Sequence, residues 1–408
     1  MTGVVIAGFL LLGGAQVPPD AAPRAPARLP PPEALVPHVP PPPIDEAIAA
    51  APADACTWPL LARYVERFVE ADGRVVDRTD DGKSTSEGQA YALFFALVGG
   101  DRALFDRVLA WAETNLARGD LGRHLPAWKW GRKADGSWGV LDPNAASDAD
   151  LWIAYALHEA GRLWNEPRYE ALGARVLRNV EAREVAELAG LGPMLLPGPR
   201  GFVHEKGRSW RLNPSYLPPQ LLRRFRDRGP WQGVLESAGR LLRESAPRGC
   251  AADWVLYHRE RGFGVDPVRG PAGSYDAIRV YLWAGFLDRD DPLRGTWAGA
   301  VQGLWNVWSE SGTVPEVVDV TAPGPGHEGP PGFVAALLPE AVSRGDFAAA
   351  ERLEAALARS WNGALYGDPP TYYDQNLILF ARGFVEGRFS FDAEGRLQTR
   401  WAEGGCGE

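Results

Sequence analysis

Apolar residues recur at the spacing of an α-helix along most of the chain from about Cys56 onward. Apolar positions three or four residues apart lie on one face of a helix, so this pattern predicts a series of packed helices. Gly, Pro, Asn and Asp are concentrated between these segments and predict the loops. No change of composition divides residues 56–400, so we expect one large, mostly helical domain. The predicted helices are Tyr91–Val98, Ala103–Leu116, Leu151–Trp164, Arg168–Val180, Leu221–Arg226, Trp231–Leu242, Tyr275–Leu287, Thr296–Trp308, Gly332–Ser343, Phe347–Trp361 and Tyr373–Val385.

Two segments predict small β-hairpins. Phe202–Leu212 alternates between apolar and polar residues around Lys206-Gly207, and Arg388–Arg400 surrounds the turn sequence Asp392-Ala-Glu-Gly395. The sequence has no repeat of fixed period, so we do not expect a solenoid.

The first part of the chain differs in character from the rest. Residues 3–15 form an apolar run that is too short to cross a bilayer but suits the hydrophobic region of a secretion signal. We therefore expect a signal peptide over residues 1–16, an extended Pro/Ala-rich spacer over 17–54 and a folded domain over 55–402, in a periplasmic or secreted protein without a membrane span in its mature form. Because no Lys or Arg precedes the run, a trimmed or misassigned start is the alternative. For the spacer, a tail without function is the alternative.

Charge, cysteine and histidine content exclude several classes of protein. Lys and Arg number 43 against 52 Asp and Glu, a net charge of −9, so no basic surface for nucleic acid is expected. Three Cys are too few for a disulfide-rich scaffold, although Cys56, Cys250 and Cys406 allow one disulfide. The six His are scattered and no HExxH or CxxC motif occurs, so the sequence gives no support for a metal site. The letters of Gly324-Pro-Gly-His-Glu-Gly329 match a dinucleotide motif, but no predicted strand precedes them.

Three segments place acidic residues at the start of a predicted helix. In the first, Ser84 and Glu87 have the spacing of a capping box, which is the structural alternative to a catalytic role for Glu87. Gly88 follows directly, and glycine is a poor choice in a first helical turn unless another group approaches closely.

In the other two acidic segments, a structural role at the helix start is again the alternative to a catalytic role. Ser147 can cap the second helix, while Asp148 and Asp150, two residues apart, point to different faces, so that one of them can face a cleft. In the third, Ser274 can cap, and Asp276 can pair with Arg279 three residues later. A neighbouring arginine favours the ionised form of a carboxyl group, which suits a base.

Aromatic residues cluster near these acids. The chain has 16 Trp, of which Trp128, Trp130 and Trp138 lie in a polar, Gly-containing stretch where a core role is the alternative to stacking on sugar rings. Tyr216 and the pair Tyr372 and Tyr373 also stand at predicted helix starts. Separated carboxyl groups combined with exposed aromatic rings are what glycoside hydrolysis requires. The acids would converge if these helices present their N-termini on one face.

These segments together resemble glycoside hydrolase family eight. Ala146-Ser-Asp-Ala-Asp150, followed by Ile153-Ala154 and Trp164, is similar to the signature of the family, with His158 as a departure where an aliphatic residue or Gly is usual. Ser86-Glu-Gly-Gln-Ala-Tyr91 resembles its general-acid segment, and Ser274-Tyr-Asp-Ala-Ile-Arg279 resembles its base segment. The stretches Leu125-Pro-Ala-Trp-Lys-Trp-Gly131 and Gly139-Val-Leu-Asp142 are similar, more narrowly, to the endoglucanases of bacterial cellulose-synthesis operons. The resemblance extends over roughly residues 55–390.

The resemblance implies an all-α fold, an (α/α)6 barrel with small β-hairpins, and hydrolysis of β-1,4-glucan with inversion. By position, Glu87 is the general acid and Asp276 the general base, and Asp148 holds the distorted sugar, with Asp150 the less favoured choice. Tyr216 and Arg279 would flank the water and the base. Sugar subsites would be lined by Trp128, Trp130 and either Tyr372 or Tyr373. No metal or cofactor is implied, and the implied partners are the glucan and the cellulose synthase machinery.

Other functions remain open from the sequence alone. A relative with the same fold could act on xylan, mixed-linkage glucan or chitosan. A non-catalytic glucan-binding assembly component is the alternative from another class, against which the presence of both Glu87 and Asp276 argues. A helical-barrel polysaccharide lyase would need a basic cleft for a uronate substrate.

Overall fold

The computed structural model describes residues 57–287 and 290–404, and helices dominate them. The signal peptide and spacer predicted over residues 1–54 lie outside this part, as do Cys56 and Cys406. Cys250 is buried and forms no disulfide within the described residues. The helices are α1 (Pro59–Phe68), α2 (Ser86–Val98), α3 (Arg102–Asn115), α4 (Ser147–Leu163), α5 (Pro167–Arg183), α6 (Pro219–Phe225), α7 (Trp231–Ser245), α8 (Ile278–Gly285), α9 (Arg294–Ser311), α10 (Pro331–Ala336), α11 (Leu338–Arg344), α12 (Phe347–Ala358) and α13 (Tyr372–Val385).

The mostly helical prediction is confirmed, although the bounds of several helices differ from the predicted ones. The predicted helix Gly332–Ser343 is two helices, α10 and α11, which meet at Leu337. Helix α8 begins at Ile278 instead of Tyr275. Helix α1 was missed, although its buried residues Leu61, Tyr64 and Phe68 have helical spacing.

Short antiparallel strands connect many of the helices. The two predicted hairpins are confirmed as β6–β7 and β12–β13, and β6–β7 continues into a four-stranded sheet in the order β6-β7-β8-β9. A three-stranded sheet has the order β1-β2-β3, and two further pairs are β4–β5 and β10–β11. The strands are β1 (Ser84–Thr85), β2 (Lys129–Arg132), β3 (Trp138–Asp142), β4 (Val185–Leu188), β5 (Gly192–Leu195), β6 (Val203–His204), β7 (Ser209–Leu212), β8 (Val255–His258), β9 (Gly262–Val265), β10 (Ala272–Gly273), β11 (Val318–Asp319), β12 (Phe389–Phe391) and β13 (Leu397–Thr399).

Two kinds of helix occur along the chain. Helices α2, α4, α8 and α13 are buried around nearly their whole circumference; in α2 every residue except Glu87 is buried. Helices α5, α7 and α12 bury one face only. A helix that is apolar all round belongs to the interior, whereas a helix with one apolar face packs outside it. The acidic segments therefore begin interior helices. None of the helices in the described ranges is long and apolar enough to cross a membrane.

The ring of Phe380 in α13 contacts aromatic rings of three other interior helices. Its ring is fully buried, and ring centroids of α2, α4 and α8 lie around it. Edge-to-face and tilted contacts of this kind add to the burial of apolar area. The surrounding rings are Tyr91 at 5.0 Å, Phe94 at 5.3 Å, Phe95 at 4.7 Å, Trp152 at 5.3 Å and Trp283 at 5.3 Å.

We predict that Phe380→Ala lowers the free energy of unfolding by about 3–5 kcal/mol, because it opens a cavity among rings from three other helices. Phe347→Ala provides the matched control, because the Phe347 side chain is exposed at the start of α12. Thermal or urea unfolding of the two variants measures the difference. Equal effects of the two substitutions would contradict the central place given to Phe380.

Candidate active site

The functional side chains lie at the N-terminal ends of the interior helices. Glu87 is in the first turn of α2, Asp148 is in the first turn of α4, and Asp276 lies two residues before α8. Tyr372 and Tyr373 begin α13. The sequence predicted that these helix starts would bring the acidic residues together, and the contacts with Arg279 confirm it.

Arg279 is the buried cation that these acids share. Its Nη1 contacts Glu87 Oε2 and lies 3.3 Å from Asp148 Oδ2, and its Nη2 donates to Asp276 Oδ1 at 2.8 Å. Nη2 also donates to Ser215 Oγ at 2.9 Å. Three carboxyl groups thus share one guanidinium, whose single positive charge cannot balance all three if every one of them is ionised. Glu87 and Asp276 contact different nitrogens of one planar group, which fixes their relative position.

The three carboxyl groups differ in exposure. The side chains of Glu87 and Asp276 are 20% and 31% exposed, whereas that of Asp148 is 4% exposed. Burial raises the pKa of Asp148 to about 7, with Arg279 opposing the shift and Glu87 adding to it. Burial also raises the pKa of Asp276, again against the effect of Arg279. Two accessible carboxyl groups thus flank a third that lies deeper.

Asp253 and Trp254 hold Asp276, and neither was predicted from the sequence. Asp253 Oδ1 accepts from the backbone N–H groups of Ser274 (2.7 Å), Ala277 (2.8 Å) and Asp276 (3.2 Å). Trp254 Nε1 donates to Asp276 Oδ2 at 3.0 Å. Ser274, which could have capped this helix, does not do so, because its hydroxyl donates to Asp253 Oδ2 instead. The only feature of the sequence that could have indicated this role is that Asp253 and Trp254 are adjacent in a loop.

The capping box that the sequence offered as the alternative role for Ser84 and Glu87 does not form. Thr85 is the N-cap of α2 and accepts from the Gly88 N–H at 3.1 Å, while Ser84 Oγ donates to the carbonyl of Val75. Glu87 is thereby left for Arg279.

Gly88 has the close neighbour that its position in a first turn suggested. A Cβ on Gly88 would lie 2.3 Å from the hydroxyl oxygen of Tyr372. Tyr372 is buried, its ring packs edge-on against Phe68, and its hydroxyl lies 3.5 Å from Thr85 Oγ1. Tyr372 therefore packs against the first turn of α2, and little of its ring is accessible to a ligand.

Asp150 turns away from Arg279. It is fully buried and forms a side-chain hydrogen bond with Glu184, which directly follows α5. The two acids of this segment do point to different faces, and Asp148 is the one that reaches the cluster around Arg279.

The Trp-containing stretch forms a wall next to Glu87. Strand β1, which leads into α2, pairs with β2, and the Ser86 N–H donates to the Trp128 carbonyl at 3.1 Å. Trp130 stacks on Trp138 with centroids 5.3 Å apart, and the Arg74 guanidinium lies 4.4 Å from the Trp130 ring. Both Trp128 and Trp130 are half-buried, and the rings and guanidinium around Trp130 cover much of its surface.

Tyrosines surround the other side of the cluster. The Arg279 guanidinium lies 5.5 Å from the Tyr216 ring. Tyr373 is half-buried, and its hydroxyl donates to the carbonyl of Tyr275. Tyr275, which was not among the predicted site residues, is 45% exposed beside Asp276 and packs on Phe333. Exposed rings next to acids are suited to sugar recognition.

The described residues contain no group of three or more His, Cys, Asp or Glu side chains that could hold a metal ion. Carboxyl groups can pass protons to and take protons from water or a bound ligand. Glu87 and Asp276 are accessible enough to do so.

We predict that Gly88→Ala lowers the free energy of unfolding by about 1–3 kcal/mol, because the added methyl group displaces Tyr372. Tyr372→Phe removes the nearest atom, so the Ala substitution should cost less in the Phe background. Thermal unfolding of the two single variants and the double variant measures this coupling. Strict additivity would contradict the close approach.

Comparison with known proteins identifies the family. The model of the glycosyl hydrolases family 8 matches residues 46–386. An endoglucanase of Xanthomonas axonopodis pv. citri is 47% identical over 88% of this chain and 94% of its own, and an endoglucanase of Pseudomonas fluorescens is 42% identical over 88% and 95%. The crystal structure of an endo-1,4-D-glucanase from Vibrio fischeri has a TM-score of 0.78 at 39% identity, covering 85% of this chain and 99% of that one. The chain belongs to the glycosyl hydrolases of family 8.

Proposed function

We propose that the protein is an endo-β-1,4-glucanase that hydrolyses internal glucosidic bonds with inversion of the anomeric carbon. The observation that carries the proposal is the shared contact of Glu87 and Asp276 with Arg279, which holds two accessible carboxyl groups in one site. Inversion requires an acid on one side of the linkage and a carboxylate that activates water on the other. The named relatives, endoglucanases at 42% and 47% identity, support the same reaction.

Glu87 acts as the general acid. Its carboxyl proton passes to the glycosidic oxygen as the bond between that oxygen and the anomeric carbon breaks. The first turn of α2 keeps Glu87 beside the Trp128 wall, where Thr85 satisfies the turn without using the carboxyl group.

Asp276 acts as the general base on the opposite side. It takes a proton from water as the water oxygen bonds to the anomeric carbon, so that the proton count balances over the two carboxyl groups. Trp254 and Arg279 donate to separate oxygens of Asp276 and fix its direction. Tyr216, next to Arg279, would border the water.

Asp148 binds the sugar at the cleavage point. Its buried carboxyl group can hold a sugar hydroxyl in the distorted ring shape that precedes the oxocarbenium-like transition state. Trp128 and Tyr373 have accessible surface for neighbouring sugars, and Tyr275 is added to them on grounds of exposure. Trp130 acts through its stack with Trp138, and Tyr372 through its support of α2.

The interior and exterior helices are the layers of an (α/α)6 barrel in this proposal. It places residues 55–402 in one catalytic domain, with a signal peptide at 1–16 and a spacer at 17–54. The narrower resemblance of the Trp128 wall supports a role in bacterial cellulose synthesis, with a periplasmic or secreted enzyme acting on glucan beside the synthase machinery.

We predict that Glu87→Gln and Asp276→Asn each lower hydrolysis of soluble carboxymethyl-cellulose by about 10²–10⁴-fold, because each removes one proton-transfer group. Glu66→Gln, a substitution at an exposed position of α1, is the matched control. Reducing-end release and thermal unfolding are measured together. Wild-type product should be the α-anomer by NMR, and a β-anomer, or near-normal turnover in either variant, would refute the proposal. A panel with xylan, mixed-linkage glucan and chitosan tests the substrate.

We predict that Asp253→Asn moves the acidic limb of the kcat/KM profile to lower pH. The negative charge of Asp253 adds to partial burial in raising the pKa of Asp276, and Asn can keep the backbone hydrogen bonds while removing that charge. The pKa of the base therefore falls. Asp253→Ala, which also removes the cap, should destabilise the protein by about 0.5–2 kcal/mol. If the acidic limb does not move in the Asn variant, the claim that the charge of Asp253 raises the pKa of Asp276 is contradicted.

A further inference from the structure

Asp150 and Glu184 form a buried carboxyl pair that the proposed reaction does not use. Asp150 lies in the first turn of α4, two residues after Asp148, and Glu184 directly follows α5. Both residues are fully buried. A pair of acids in this position requires an explanation, because an isolated buried charge is very costly.

The pair has no donor other than itself. Within the described residues, none of the four carboxyl oxygens accepts a hydrogen bond from an N–H group or a hydroxyl. A side-chain hydrogen bond joins the two carboxyl groups. An ionised carboxylate is an acceptor only, so this bond exists only when one of the two groups carries a proton.

The surrounding charges favour the protonated state. Burial is the main cause that raises the pKa of Glu184, to about 8, and it raises the pKa of Asp150 as well. The charged groups that act on the pair are Asp148, from the same turn of α4, and Arg183, which precedes Glu184. At Glu184 the negative charge of Asp148 adds to the effect of burial, whereas the hydrogen bond with Asp150 and the positive charge of Arg183 lower the pKa.

The pair joins two segments that also meet through their backbones. The carbonyl of Glu184 accepts from the Leu196 N–H at 2.8 Å, and the N–H of Ser147 donates to the carbonyl of Pro197 at 3.2 Å. The segment after β5 therefore holds both Glu184 and the start of α4. The carboxyl pair adds a further link between these segments, through Asp150 in the same first turn as Asp148.

We propose that Asp150 and Glu184 share one proton and that this hydrogen bond positions the first turn of α4, so that Asp148 is directed at Arg279. The two acids are positioning residues in this account, since they act through Asp148. Loss of the proton places two like charges beside each other and beside Asp148, which loosens the turn. The part of the proposal that concerns turnover rests on the proposed function; the shared proton does not.

The pH dependence follows from the sign of the shift. The unfolded chain ionises both groups at about pH 4, whereas the folded pair keeps one proton to a much higher pH. Stability from the pair is therefore complete below the unfolded values and is lost as pH rises through the folded pKa values of the two groups, both of which burial raises.

The shared proton is tested by counting protons released on unfolding at pH 6. Calorimetry in two buffers of different ionisation enthalpy gives this count for the wild type, for the double variant Asp150→Asn with Glu184→Gln, and for the control Glu187→Gln. Glu187 is an exposed acid in β4. We expect the wild type and the control to release at least one proton more than the double variant, whose amide groups can bond without one. Equal release by all three proteins would overturn the proposal, whether or not the protein is a glucanase.

The positioning role is tested by comparing Glu184→Gln with Glu184→Ala on soluble glucan at pH 6. The amide can donate to Asp150 and should keep kcat, whereas Ala removes the link and should lower kcat by up to about 100-fold with a smaller change in KM. Asp150→Asn and Asp150→Ala give a second pair. Equal kcat values for the amide and Ala variants would overturn the positioning role, whereas an inactive wild type would count against the proposed function alone.

Discussion

One buried guanidinium determines how the site is built. Arg279 contacts Glu87, Asp148 and Asp276, which come from three separate parts of the chain, and its positive charge stabilises their ionised forms close to one another. A planar group with donors on two nitrogens also fixes direction, which a lysine ammonium would not do. The position of Arg279 in the first turn of α8 therefore sets the relative placement of the proposed acid and base.

The rest of the fold keeps that cation in place. Aromatic packing around Phe380 holds α2, α4, α8 and α13 together beneath the site. At the surface of the site, two of the helix starts are capped by residues that are not themselves acids of the cluster: Thr85 caps α2, and Asp253 caps the turn before α8. Capping by these neighbours leaves the carboxyl groups of Glu87 and Asp276 available for chemistry.

The sequence predicted the helices and the acids well, because both depend on local spacing. Periodicity located α2 and α4, and Gly88 in a first turn correctly indicated a close neighbour, Tyr372. Contacts made by distant segments were not predictable. Asp253 lies in an irregular loop more than twenty residues before the turn it caps, and Glu184 meets Asp150 only after α4 and α5 pack together. The assignment of caps to Ser84 and Ser274 failed for the same reason, since a tertiary partner took the place of the local one.

The most direct test of the central claim is a crystal structure of the Glu87→Gln variant with a bound cello-oligosaccharide. The account predicts that the side chain at position 87 lies within hydrogen-bond distance of a glycosidic oxygen. It also predicts a water molecule held by Asp276 on the opposite side of the same anomeric carbon, with Arg279 between the two side chains. A sugar chain bound elsewhere, or a linkage that only one of the two side chains can reach, would contradict it.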